Sequence, residues 1–292
     1  VTDRGTATPA SGFVCTTATC TVTITTVDDA IYDDPAPAET LTLSGITATA
    51  GGVAVNVNGV TTAVTVTGTI TDNEGVPTLS IISPDGQDES VTPQNFLIQL
   101  SHAREVGTVT FNCRTQAASA SNIDGDYTAF GPGACSVSIP AGTTSINLPV
   151  ALLNDAVNEP DEFYTVAIST PTNATLGSTL GIGYIYDDDP IPDVSISCPA
   201  TVQEGDAGTQ ALACTLTLSG ANSYASSVRV SVNPVGGEAD ATDIVQVTNQ
   251  LVNIPAGTTS VQFLAQVYGD VVVEDDEDFT VTLSSPVGIT LG

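Results

Sequence analysis

The chain repeats itself, and nothing else in the sequence restricts its fold as much. Ile139-Pro140-Ala141-Gly142-Thr143-Thr144-Ser145 returns 115 positions later as Ile254-Pro255-Ala256-Gly257-Thr258-Thr259-Ser260. The same offset carries Glu89 to Glu204, Asp155 to Asp270, Glu159 to Glu274, Glu162 to Glu277 and Asp72 to Asp187. It also carries Thr175-Leu176-Gly177 to Thr290-Leu291-Gly292. One register behind several separate matches marks a tandem array of a single module. The 292 residues then divide into a truncated, diverged unit over 1–75, a complete unit over 76–189, and a unit over 190–292 that lacks its last strand. The chain opens on Val1 with neither an initiator methionine nor a signal peptide, so it reads as a mature product or a segment of something longer.

Within each unit the apolar residues recur with period two. Tyr164, Val166 and Ile168 face one way and Thr165 and Ala167 the other; Phe279, Val281 and Leu283 repeat the pattern. Leu212, Cys214, Leu216 and Leu218 share a face opposite Ala213, Thr215 and Thr217. Such alternation predicts half-buried strands, and no stretch has the 3.6-residue period of an amphipathic helix. Threonine and valine dominate the runs, and their branched β-carbons suit a pleated sheet. Asp124-Gly125, Pro132-Gly133 and Ala141-Gly142 punctuate them as turns. About seven short strands per unit predict an all-β chain of tandem immunoglobulin-like β-sandwiches, its cores filled by Val, Ile and Leu in the absence of tryptophan.

The charge balance excludes several functions. Thirty-three acidic residues stand against four arginines and no lysine, a formal net charge of −29. Nucleic acid needs a basic surface, and an anionic membrane repels an acidic one, so neither is an expected partner. No apolar run is long enough to span a bilayer. Two explanations of the acidity stay open: a solvated anionic surface, or a set of divalent-cation sites. The six cysteines fall in local pairs, Cys15 with Cys20, Cys113 with Cys135 and Cys198 with Cys214, with no zinc or redox spacing. One disulfide per unit is the simplest reading and predicts an oxidising, extracellular setting.

The acids are not scattered. The middle and third units each carry a glutamate after the opening strand (Glu89, Glu204) and an aspartate in mid-unit (Asp126, Asp243). A cluster follows: Asp155-x3-Glu159 in one unit, Asp270-x3-Glu274-Asp275-Asp276-Glu277-Asp278 in the next. The middle unit ends on Asp187-Asp188-Asp189, stiffened by Pro190 and Pro192. Loops separated by an even number of strands gather at one end of a sandwich, so these elements can meet in space. Calcium takes six to eight oxygens, largely carboxylate.

Together, Val202-Gln203-Glu204-Gly205, Asp124-Gly125-Asp126-Tyr127, the Pro-Ala-Gly-Thr-Thr-Ser stretch, Asp270…Phe279 and the terminal Asp-Asp-Asp resemble the Calx-β domain. That family consists of calcium-binding sandwiches, found in sodium–calcium exchangers, integrin tails and, as long arrays, bacterial surface adhesins. The resemblance implies Ca2+ as cofactor, held by Glu89, Asp126, Asp155, Glu159, Asp187, Asp188 and Asp189 in the middle unit. In the third unit it implies Glu204, Asp243, Asp270, Glu274 and Asp276. The first unit has Pro35-Ala36-Pro37-Ala38 where paired acids belong, and the third has no terminal triple aspartate.

Catalysis is not expected. His102 is the only histidine and no nucleophile motif accompanies it. A glycosidase pair needs a carboxyl kept protonated beside sugar-holding aromatics, and the chain has no tryptophan. With no lysine, a lysine–asparagine cross-link is impossible, which leaves disulfides and calcium as stiffening devices. Asn173-Ala174-Thr175 is a bare glycosylation sequon. The expectation is a non-enzymatic extracellular array, part of a cell-surface stalk, adhesin or filament. Its partners are neighbouring repeats or other copies, joined in a filament by strand complementation if the chain is a whole subunit. The alternative is a glycan- or protein-binding module acting through the sandwich-end loops.

Overall fold

The computed structural model describes residues 74–131, 133, 135–235 and 241–292, together with the backbone of seven short strands before residue 74. Those early strands include Ile31–Tyr32 and an antiparallel pair, Glu39–Ile46 with Val64–Ile70. No helix occurs among the described residues. Beyond residue 74 we number the principal strands β1 (Thr78–Ile82), β2 (Gln94–Leu100), β3 (Val109–Ala117), β4 (Cys135–Ile139), β5 (Ser145–Val150), β6 (Glu162–Thr172) and β7 (Leu180–Tyr186). The series continues with β8 (Asp193–Ser197), β9 (Gly208–Leu218), β10 (Ser226–Pro234), β11 (Val247–Ile254), β12 (Ser260–Gly269) and β13 (Phe279–Val287).

The first seven strands make one sandwich. One sheet has the order β5-β2-β1 with Thr175–Leu176 at its edge; the other runs β4-β3-β6-β7 with Gln87–Asp88 at its edge. The alternation read from the sequence sets which side of each strand is buried. Leu79, Ile81, Phe96 and Ile98 from the first sheet pack on Phe111, Cys113, Tyr164, Val166 and Ile168 from the second. The next six strands form a second sandwich, β12-β9-β8 with Thr290–Leu291 over β11-β10-β13. Leu212, Cys214, Leu216 and Leu218 all face its core, as their spacing requires.

The two sandwiches differ at one edge. Strand β6 is covered on its far side by β7, and Tyr164, Val166 and Ile168 are buried. Its counterpart β13 pairs only with β10 among the described strands. Phe279, Val281 and Leu283, which repeat the same pattern, are therefore only half-buried. The disulfides Cys113–Cys135 and Cys198–Cys214 pair as expected. They are not equivalent: the first links β3 to β4 across a register pair, and the second ties the end of β8 to β9. Cys15 and Cys20 lie outside the described residues.

Consecutive units meet through a recurring contact. Ile31–Tyr32 forms a two-residue parallel bridge with Ala103–Arg104, and Val157–Asn158 forms another with Ala221–Asn222. Across the second joint Ser223 N–H donates to the Asn158 carbonyl at 3.0 Å, and the Tyr224 hydroxyl donates to Asn158 Oδ1 at 2.7 Å.

One polar group in the middle core has no counterpart in the apolar pattern. Gln94 is fully buried; its amide donates to the carbonyls of Asp85 and Tyr184, and its oxygen accepts from the Tyr164 hydroxyl at 2.8 Å. Gly183 makes room for it, since a Cβ there would lie 2.3 Å from Gln94 Oε1. Replacing Tyr164 with Phe leaves that oxygen buried and without its donor, a cost of about 1–3 kcal/mol. The expected result is a lower urea midpoint with an unchanged slope; equal midpoints would show the bond contributes nothing.

Candidate metal centre

The middle unit's acids converge because backbone pairing delivers each from a different direction. Gln87–Asp88 lies parallel to the end of β7, and Glu89 N–H donates to the Tyr186 carbonyl at 3.0 Å. This sets Glu89 beside Asp187-Asp188-Asp189, which continue from β7. Tyr127 bridges Leu152, and Leu153 N–H donates to the Asp126 carbonyl at 3.0 Å. That contact joins the mid-unit turn to the segment leading into Asp155. The Asp155 carboxylate closes a local turn by accepting from Val157 N–H at 2.7 Å, and Asp126 is pinned by Ser121 N–H at 2.5 Å.

At the centre, carboxylate oxygens of Glu89, Asp155 and Asp189 lie within 4.8 Å of one another. Glu89 is only 5% exposed. Three buried oxygens have no hydrogen-bond partner: Glu89 Oε1, Asp187 Oδ1 and Asp189 Oδ2. A buried unpaired carboxylate oxygen is costly, and a cation among these residues would satisfy it. Neutral and polar groups hold the rest. Asn158 Nδ2 donates to Asp187 Oδ2 at 2.9 Å and to the Asp189 carbonyl at 3.3 Å, and the Ser90 hydroxyl donates to Asp188.

Protonation follows from this crowding. Burial pushes Glu89 up to about 7, with the charges of Asp155, Asp189 and Asp188 adding to it against an opposing backbone hydrogen bond from Asp155. Burial, then Asp126, Asp155, Glu89 and Asp187, push Glu159 up to about 7. Burial and then Asp126 do the same to Glu162. Asp189 is raised by desolvation first and by Asp187 next. All seven middle-unit residues expected from the sequence thus belong to one electrostatic cluster. Glu162 joins them, and only its repetition as Glu277 pointed to it. Asn158 carries no such signal, because its partners lie in the joint and in the following sandwich.

In the third unit, oxygens of Asp243, Glu274 and Glu277 lie within 4.8 Å. Tyr268 N–H fixes Asp243 through its carbonyl at 2.8 Å. Glu204, Asp270 and Asp276 line the same open cleft of about 570 Å3 without joining that triad. Glu277, not among the residues the resemblance implied, belongs to the triad. Gly269 lets β12 pass the Glu204 loop, since a Cβ there would sit 2.4 Å from the Glu204 carbonyl oxygen.

Both clusters offer oxygen alone, with no histidine or thiolate, and so suit a hard cation. The number of carboxylates in the middle cluster favours calcium, which takes six to eight oxygens, over magnesium, which keeps much of its water. Without a cation, the raised glutamates hold protons in the folded chain that the unfolded chain has already released. Their contribution to stability is full below about 4.5 and is lost as pH rises through about 7. In chelator, Glu89→Gln is accordingly expected to melt higher than the wild type at pH 8 and equally at pH 5. Melting curves at the two pH values check this, and the same difference at both would contradict it.

Comparison with known proteins bears on the same residues. The sequence matches the Calx-beta domain over residues 72–181 and again over 187–290. No curated protein matches it. Similar solved structures include CBD12 from CALX1.2, 13% identical, covering 71% of this chain and 80% of that one with a TM-score of 0.33. The calcium binding domain CBD12 of CALX1.1 is 15% identical, covering 71% and 79%, also at a TM-score of 0.33. The apo-form Calx CBD1 domain is 17% identical, covering 39% of this chain and 100% of that one at 0.35. Two tandem family matches take in most of the sequence, and the chain belongs to the Calx-beta domain family.

Proposed function

We propose that the chain is a non-enzymatic, extracellular structural array whose middle sandwich binds calcium at its junction with the third. The observation that carries this reading is the set of orphaned buried oxygens on Glu89, Asp187 and Asp189, beside an Asp155 carboxylate within reach of the same point. Glu89, Asp155 and Asp189 would hold the ion, with Asp187, Asp188, Glu159 and Asp126 completing the anionic surround. A bound calcium ion would supply positive charge where the fold has gathered like charges, and so fix the joint that follows. Asn158 connects that charge to the next unit, because one amide group bonds Asp187, the Asp189 carbonyl and Tyr224 together.

Disulfides support an oxidising compartment, and the absence of lysine with 33 acidic residues supports a surface that repels polyanions. Stalk, adhesin and filament are all consistent with linear arrays of this kind. The alternative, a glycan- or protein-binding module using aromatic loop residues, has less support. Tyr127 is buried in the core against Tyr164, and Tyr224 is engaged in the joint.

Calorimetric titration tests the metal. Saturable calcium binding is expected, together with a stabilisation of about 2.7 kcal/mol at a free concentration a hundred times the Kd. Glu89→Gln should weaken binding at the middle site, and identical melting in calcium and chelator would sink the reading. For the joint, Asn158→Ala is expected to broaden the distribution of inter-sandwich distances in calcium, measured between spin labels on β5 and β12. An unchanged distribution would remove Asn158 from the coupling.

A further inference from the structure

Two joints in this chain are built alike, and a third half-joint is presented without a partner. In the first two, a residue pair that follows an Asp-Ala dipeptide lies parallel to the turn after the next unit's second strand: Ile31–Tyr32 on Ala103–Arg104, and Val157–Asn158 on Ala221–Asn222. The receiving turns are Ser101-His102-Ala103-Arg104 and Ser219-Gly220-Ala221-Asn222. They are held alike: Gly142 N–H donates to the Arg104 carbonyl and Gly257 N–H to the Asn222 carbonyl, both at 2.8 Å. The donating segments share a motif as well, Asp29-Ala30-Ile31-Tyr32 matching Asp155-Ala156-Val157-Asn158.

The 115-residue offset places Asp270-Val271-Val272-Val273 at the same point of the third unit. Its backbone is already set in the same way. Val272 N–H donates to Asp270 Oδ1 at 2.6 Å, as Val157 N–H does to Asp155 Oδ1 at 2.7 Å. In the middle unit Asn158 is 6% exposed because the next sandwich covers it, whereas Val271, Val272 and Val273 are 81%, 59% and 98% exposed, and no described residue bridges to them. Three adjacent exposed valines, flanked by Asp270 and by Glu274-Asp275-Asp276-Glu277-Asp278, form an apolar segment within an acidic stretch.

We propose that Val271–Val273 is a docking edge for another sandwich of the same kind, received by the turn between that sandwich's second and third strands through a short parallel bridge. The occupant follows from continuity with the two joints already formed, in which the same positions meet such a turn. A valine in place of Asn158 makes this joint apolar, with no amide to bond the acidic residues beside it. The inference rests on reading the chain as an array of such units, and not on calcium.

The register supplies the test. Gly177 corresponds to Gly292, so a second copy of residues 178–292 placed directly after Gly292 continues the array in phase. A control carries only a copy of residues 178–189, which adds the strand equivalent to β7 and no following sandwich. Backbone hydrogen exchange of the added Ser219–Ser223 turn and of residues 271–274 is measured in calcium and in chelator. Docking predicts that 271–274 exchanges roughly tenfold or more slowly in the long chain than in the control. It predicts that Val272→Asp in the long chain abolishes this difference while leaving the unfolding midpoint of the 292-residue chain unchanged. Equal exchange in the long chain and the control would overturn the proposal. Protection that appears in the 292-residue chain only as its concentration rises would also overturn it, by assigning the edge to a second copy. A difference that persists in chelator, when calcium titration shows no binding, would leave docking standing and remove only the calcium reading.

Discussion

Like charges gathered at one point, with some of their oxygens buried, are the constraint around which the middle unit is organised. The fold brings Glu89, Asp155 and Asp189 to one point and leaves three carboxylate oxygens buried without donors. Two responses are open to such a cluster. Protons can neutralise part of it, which is what the raised glutamates express, or a cation can. The proton response weakens as pH rises toward neutrality, and the cation response strengthens for the same reason.

The cluster sits where the chain passes from one sandwich to the next, and this position gives it mechanical meaning. Asp187–Asp189 follow directly on β7 and begin the connection to β8. Asn158 binds that connection on one side and Tyr224 of the following sandwich on the other. Pro190 and Pro192 restrict the backbone between them. The third sandwich carries its own acidic cleft, with Asp243, Glu274 and Glu277 together, and among the described strands its β13 pairs only with β10.

Much of this was legible in one dimension because it depends on local alternation and on repetition. Period-two patterning named the buried faces of β6 and β9 residue by residue, since successive side chains on a strand must point to opposite sides. The offset of 115 residues marked the acids that recur, Glu162 and Glu277 among them. It could not rank them. Asp276 and Glu277 are neighbours in sequence, and which of the two turns toward Asp243 depends on how the loop enters β13. Gln94 gave no sign of being buried, because its hydrogen bonds come from Asp85, Tyr184 and Tyr164, which only the fold brings to it.

By itself, then, the sequence determined the strand periodicity, the module length and the inventory of acids, because each is set by spacing along the chain. Tertiary structure decided which carboxylates share a centre, that Asn158 and Tyr224 join it to the next unit, and that Asn158 is buried while Val273 at the matching position is exposed. These are consequences of pairing between segments far apart in sequence. Their energies come from desolvation and from hydrogen bonds that exist only once both partners are in place.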